Sequence, residues 1–178
     1  MKKNIFPITL LLLVVMVIGC KDSQRDAIDQ IKKTEAEVFD KNGMIDHDRI
    51  DELIETYLGF ANSYPQDSLA PDYIFKAADV AMTTNRSNQA ITLYQRIREE
   101  YPNYRKVPEA LFLEAYVYEN YLGRLDKAKA LYEEFLEKYP DNDFADDAEI
   151  SLKYLGKSPE ELIELFQQAA QQDSLMNN

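Results

Sequence analysis

The sequence predicts an all-α solenoid of about four consecutive helix pairs, and three observations predict it. The dipeptide Tyr-Pro recurs at Tyr64-Pro65, Tyr101-Pro102 and Tyr139-Pro140, spaced by 37 and then 38 residues; a period in this range marks stacked helical repeats. Counting back from each Pro, the fifth residue is Phe60, Ile97 or Phe135, the eighth Tyr57, Tyr94 or Tyr132, and the twelfth Leu53, Ala90 or Ala128. Those offsets draw one apolar stripe along a helix, and the Pro ends it. Composition agrees: 5 Gly among 178 residues, with 12 Tyr and 46% apolar side chains, suits a helical chain able to build a core.

Residues Met1 to Lys3 make a basic start, and Ile5 to Ile18 form an apolar run of 14 residues. A membrane-spanning helix needs about 20, so the run over residues 1–19 reads as a signal peptide that is removed. The tetrad Val17-Ile18-Gly19-Cys20 resembles the bacterial lipoprotein box, in which a small residue precedes a Cys that becomes the acylated first residue of the mature protein. The resemblance implies cleavage between Gly19 and Cys20, a diacylglyceryl thioether on Cys20 and an acylated amino group. Two or more chains, at about 0.8 kcal/mol per buried CH₂, anchor stably. Lys21 stands where Asp favours inner-membrane retention in enterobacterial lipoproteins, which implies transfer to the outer membrane. The periplasmic face is read ahead of the cell surface, for which Lys21-Asp22 is a partial match. Residues 20–26 are then the lipidated Cys and a short tether.

Ala27 to Phe39 reads as a weaker amphipathic helix (Ile28, Ile31, Val38, Phe39), broken at Asn42-Gly43. Asp48 with Asp51 resembles a helix N-cap and a first-turn acid, opening the helix that carries Leu53, Tyr57 and Phe60. Six residues beyond each Tyr-Pro, Pro71, Pro108 and Asp146 each precede an acid, Asp72, Glu109 or Asp147. Pro in a first turn loses no needed N–H, and the acid complements the helix dipole. These helices carry Ile74, Ala78 and Ala81, matched 37 residues later by Leu111, Ala115 and Tyr118. Small Ala78 and Ala115 sit where helices must approach closely. Gly156 stops the last such helix, and Ser158 with Glu161, around Pro159, forms a capping box. Leu162, Phe166 and Ala169 then repeat the spacing of the earlier second helices. The repeat domain covers residues 27–172, and residues 173–178 form a tail.

At these residues the chain resembles the tetratricopeptide repeat (TPR), whose pattern asks for a small residue in mid helix A, Gly at the turn, Ala early in helix B, an aromatic four residues later and a closing Pro. Ala115, Gly123, Ala128, Tyr132 and Pro140 satisfy it in one copy, and Ala78, Ala90, Tyr94 and Pro102 in the preceding one. The helix A Trp is absent, Ile97 and Phe135 are larger than usual, and Asn85 stands where the turn Gly belongs. Repeats longer than 34 residues that end in Tyr-Pro are similar to those of periplasmic TPR lipoproteins. The comparison includes the lipoprotein of the β-barrel outer-membrane assembly machine (BamD-like) and the TolA-binding coordinator of cell division. The resemblance implies a non-catalytic scaffold for envelope proteins, with a peptide or helix held in a groove lined by the A helices. The A-helix candidates for that role are Tyr73, Lys76, Asp79, Phe112, Tyr116 and Asn120.

Charge narrows the function classes. With 20 Lys+Arg against 32 Asp+Glu the chain is acidic, net −12, which argues against nucleic-acid binding. One Cys and one His exclude a disulfide framework, a Cys-rich zinc module and most His-based triads. Asp46-His47-Asp48 has metal-ligand types, but the helix-start reading is preferred to a metal-dependent hydrolase, because metal sites gather three or more supported ligands. Acidic pairs such as Glu99-Glu100, Glu133-Glu134 and Asp146-Asp147 do not face each other on a helix. No nucleotide-binding Gly-rich loop or nucleophile motif appears; no enzyme activity, cofactor or small-molecule substrate is expected. Between Arg86 and Lys106 there are five bases and two acids, and between Glu133 and Asn178 twelve acids and three bases. Arg96, Arg98 and Arg105 are therefore candidates for docking an acidic partner, and the acidic end for steering a basic one.

Overall fold

A computed structural model describes residues 23–39 and 45–176. The expected signal peptide, Cys20 and the expected break at Asn42-Gly43 lie outside the described residues. What is described is all-α, and it divides after Arg86 into two compact units.

The first unit contains α1 (residues 23–38), a 3₁₀ turn (His47–Arg49), α2 (Ile50–Ser63) and α3 (Ala70–Thr83). Helix α1 begins four residues before the expected Ala27, so residues 23–26 are helix and not tether. The extra turn is held from outside: the Ser23 and Tyr64 hydroxyls lie 2.8 Å apart, and the Gln24 amide donates to Asp67. Further along, Ile31, Thr34 and Val38 are buried. The helix start beyond Ile45 also differs from the expected one. Asp46, not Asp48, caps, accepting from the Asp48 N–H at 3.1 Å, because a 3₁₀ turn precedes α2 and moves the capping position back. On α2 the expected stripe is inside, Leu53, Tyr57 and Phe60 being at most 2% exposed, and α2 packs against α3, where Tyr73 meets Tyr57 and Phe60.

Asn85 resolves the missing turn glycine. Its φ is 63°, a left-handed conformation that Asn tolerates better than most residues. The Asn85 N–H donates to the Met82 carbonyl and the Arg86 N–H to that of Ala81, a Schellman closure of α3. Gly123 (φ 61°) occupies the same place after α5 and Gly156 (φ 74°) after α7.

The second unit holds α4 (Ser87–Glu100), α5 (Val107–Asn120), α6 (Leu125–Lys138), α7 (Ala145–Tyr154) and α8 (Pro159–Met176). Pro108 lies in the first turn of α5, as expected, and α4–α5, α5–α6 and α6–α7 pack as neighbours. Their core joins Leu111, Phe112 and Ala115 of α5 to Ala128, Tyr132 and Phe135 of α6 and Ala148 of α7. Burying a side chain such as Phe135 stabilises by about 1.5–3 kcal/mol. The capping box of α8 forms: the Glu161 N–H donates to Ser158 Oγ at 3.2 Å, and the Ser158 N–H to the Glu161 carboxylate at 2.7 Å. The helix continues to Met176, so most of the expected tail is helical. Phe166 has the spacing of a core residue but is 56% exposed.

Candidate functional site

A cleft of about 630 Å³ in the second unit lies over α5, between α4 and α6. Its floor is one face of α5, formed by Val107, Leu111, Glu114 and Tyr118 at spacings of four and three. One wall carries Gln95, Arg98, Glu99 and Pro102. The other carries Lys127, Ala130, Leu131, Glu134, Lys138 and Tyr139. The floor is thus mainly apolar with the buried Glu114 set into it, and the walls mix charged and apolar side chains.

A connected polar network runs through it. The Glu114 side chain is only 2% exposed. It accepts from Arg98 Nη1 at 2.6 Å and from Gln95 Nε2 at 2.6 Å. Arg98 Nη2 reaches on to Glu134 at 2.7 Å, and Glu134 also accepts from Lys138 at 2.7 Å. One guanidinium therefore joins α4 to both α5 and α6, which its planar fork of donors allows and a lysine would not. Burial pushes the Glu114 carboxyl above its ordinary range, although Gln95 and Arg98 pull back against it. For Glu134 burial also pushes upward, but the bonds and charges of Lys138 and Arg98 outweigh it and hold the group low. The carboxylates face cations that occupy them, an arrangement that fixes helices and walls a groove.

Other glutamates serve the helix B tyrosines. Tyr57 donates to Glu35 of α1 at 2.8 Å, and Tyr132 to Glu119 of α5 at 2.9 Å. Burial raises both phenols above the ordinary tyrosine range, and the adjacent carboxylates raise them further. Glu35 also accepts from Lys76 at 2.7 Å, and the Lys76 ammonium lies 5.6 Å from the Tyr57 ring and 5.5 Å from that of Tyr73.

The structure separates the sequence-derived candidates. Tyr73 stacks on Tyr57 at 5.8 Å and meets Phe60 edge-on at 4.8 Å. Phe112 packs on Tyr132, Phe135 and Phe144. Both are buried core and not groove lining, because helix faces that pair with a following helix demand aromatic bulk. Lys76 is half-exposed, Tyr116 and Asn120 are exposed, and Asp79 is partly buried. Arg96 pairs with Glu100 at 2.9 Å, Arg98 belongs to the cleft network and Arg105 is exposed. Arg96 and Arg98 are thus engaged by acids of their own unit, which corrects the picture of an open basic patch. Asp46, His47 and Asp48 are exposed at the helix start. Among the described residues no group of three or more His, Cys, Asp or Glu is placed to hold a metal ion, and no helix is long and apolar enough to cross a membrane.

Glu114 was not among the sequence candidates. Its signal was present: it lies three residues from Leu111 and four from Tyr118, and aligns with buried Ala77 one repeat earlier.

Comparison with family models matches the tetratricopeptide repeat twice, over residues 72–104 and 109–142. The first matched segment spans α3 and α4 and the second α5 and α6, so each covers one helix pair of the repeat read from the sequence. No curated protein matches the chain significantly.

Proposed function

We propose that this chain is a non-catalytic scaffold lipoprotein of the bacterial cell envelope, anchored through Cys20 to the outer membrane, that holds a peptide or helix of a partner protein. Tetratricopeptide repeats support protein–protein interaction in general. The observation that carries the proposal to a site is the cleft over α5, where a mainly apolar floor lies between walls tied together by the Glu114–Arg98–Glu134–Lys138 network. Such a groove takes apolar anchors of a partner segment while its shape is already set, the condition for binding without a large ordering cost.

Outer-membrane protein assembly of the BamD-like kind is the reading we favour, on the resemblance of the long Tyr-Pro repeats behind a lipoprotein box. A reciprocal pull-down from solubilised membranes tests it. Recovery of a β-barrel assembly protein supports it, a TolA-like or peptidoglycan-synthesis partner moves the protein to envelope constriction, and recovery of neither refutes both. The anchor has its own test: an alkyne fatty acid should label the wild type and not Cys20→Ser.

A further inference from the structure

The helix pair α7–α8 repeats the spacing of its predecessors without their burial. Ile150 aligns with Phe75 and Phe112, which are 3% and 8% exposed, yet Ile150 is 55% exposed. Phe166 follows the spacing of Tyr57, Tyr94 and Tyr132, all within 2% of complete burial, yet it is 56% exposed. In the preceding pair Phe112 is covered partly by Phe144, at the entry to α7, with ring centroids 5.0 Å apart. No described residue provides that cover for Ile150.

The uncovered residues belong together. Ile150 and Tyr154 are one turn apart on α7, on the side away from the buried Ala148. Tyr154 meets Phe166 at 5.6 Å, and Ile163, 56% exposed, lies one turn from Phe166 on α8. Together they make an exposed apolar surface carried on two helices, the kind of face against which an amphipathic helix packs.

Its surroundings select the occupant. Asp146, Asp147, Glu149, Glu160 and Glu164 are all exposed, and Lys153 and Lys157 are the only bases of α7, its exit turn and the described part of α8. First-turn acids complement helix dipoles, but Glu149 and Glu164 lie beyond those turns. A second copy of this chain would bring the same acids against themselves, whereas a cationic helix gains from every one of them. We infer that the α7–α8 face binds a basic amphipathic helix of a partner protein, seated where the first helix of a further repeat would pack. The inference concerns a surface apart from the cleft and does not depend on the partner proposed there.

The test uses the mature chain with Cys20→Ser and two labelled peptides of about 18 residues, five helical turns. One alternates Leu and Lys at helical spacing, and in the other Glu replaces Lys. Fluorescence anisotropy should show saturable one-to-one binding of the Lys peptide, at least tenfold tighter than the Glu peptide. Ile150→Asp and Ile163→Asp, both at exposed positions, should each weaken it about tenfold despite adding negative charge, with far-UV circular dichroism unchanged. Glu149→Lys with Glu164→Lys should weaken it by a similar factor. Non-saturable binding, equal affinity for the two peptides or affinity indifferent to the two Asp variants overturns the inference. So does sedimentation showing self-association of the wild type that Ile163→Asp abolishes, since the face would then belong to a second copy.

Discussion

Replacing Arg98 by Met removes the cation that holds Glu114 while keeping most of the side-chain volume. Stripping the partner from a buried charge costs about 3–5 kcal/mol, and the 22% exposure of Arg98 lowers the figure for this pair. Gln95 still donates to one oxygen of Glu114, which points to the lower end. Glu134 is 30% exposed and keeps Lys138, so its share is under about 0.5 kcal/mol. The expected loss at neutral pH is about 3 kcal/mol. Urea unfolding followed by circular dichroism should show it as a lower midpoint at unchanged slope.

The loss must also depend on pH with a definite sign. Glu114 is raised in the folded state, so its stability contribution is full below the unfolded carboxylate range and falls as pH rises through the folded value. Without Arg98 that folded value rises further and the penalty at neutral pH deepens. Glu134 is lowered, so it contributes above the ordinary carboxylate range and loses that contribution as pH falls; removing Arg98 weakens it at neutral pH. Both effects make the difference between variant and wild type grow from about pH 4, where Glu is half protonated, toward neutrality. Glu114→Met added to Arg98→Met should recover about 2 kcal/mol, because a well-packed apolar replacement leaves no buried charge. A difference under about 0.5 kcal/mol at neutral pH, or one of constant size across pH, would refute the assignment of Arg98 as the cation that stabilises buried Glu114.

Other substitutions address the fold and its caps. Asn85→Gly should be neutral within about 0.5 kcal/mol, while Asn85→Val, forced into the left-handed region, should cost about 1–2 kcal/mol in the same urea titration. Gly156→Ala should cost at least about 1 kcal/mol, since φ is 74° and the added Cβ would meet Leu125 Cδ1 at 2.7 Å; thermal denaturation reads it. Ser158→Ala removes the capping bond to the Glu161 N–H and should cost about 1 kcal/mol, seen as faster amide exchange confined to the first turn of α8. Tyr132→Phe should cost about 1 kcal/mol for the lost bond to Glu119, far below the 3–5 kcal/mol or so that Phe135→Ala incurs by opening the core.

The helix B stripes were legible because Tyr-Pro sets a register and three aligned copies repeat it; each position read from that register in α2, α4 and α6 is buried. Asn85 was legible as a departure, and its positive φ accounts for it. The cleft was not legible. Arg98 was counted as a docking cation because a charge count along the chain ignores partners 16 and 36 residues away. Tyr73 and Phe112 were assigned to a groove because helical spacing does not distinguish the side that meets solvent from the side that meets the next helix. The early start of α1 escaped notice because the polar segment Ser23 to Asp26 is held by Tyr64 and Asp67, contacts across 41 and 43 residues that no local propensity records.

That fastening sets a distance. For a chain acylated at Cys20 as proposed, three residue steps separate Cys20 from Ser23, the first residue of α1, a reach of at most about 11 Å. The turn carrying Tyr64 and Asp67 would then sit at headgroup depth, with its edge of the first unit turned toward the bilayer. A chain anchored in that way would be held close to the membrane surface. Inserting a flexible segment after Cys20 would lengthen that reach while leaving every described contact in place.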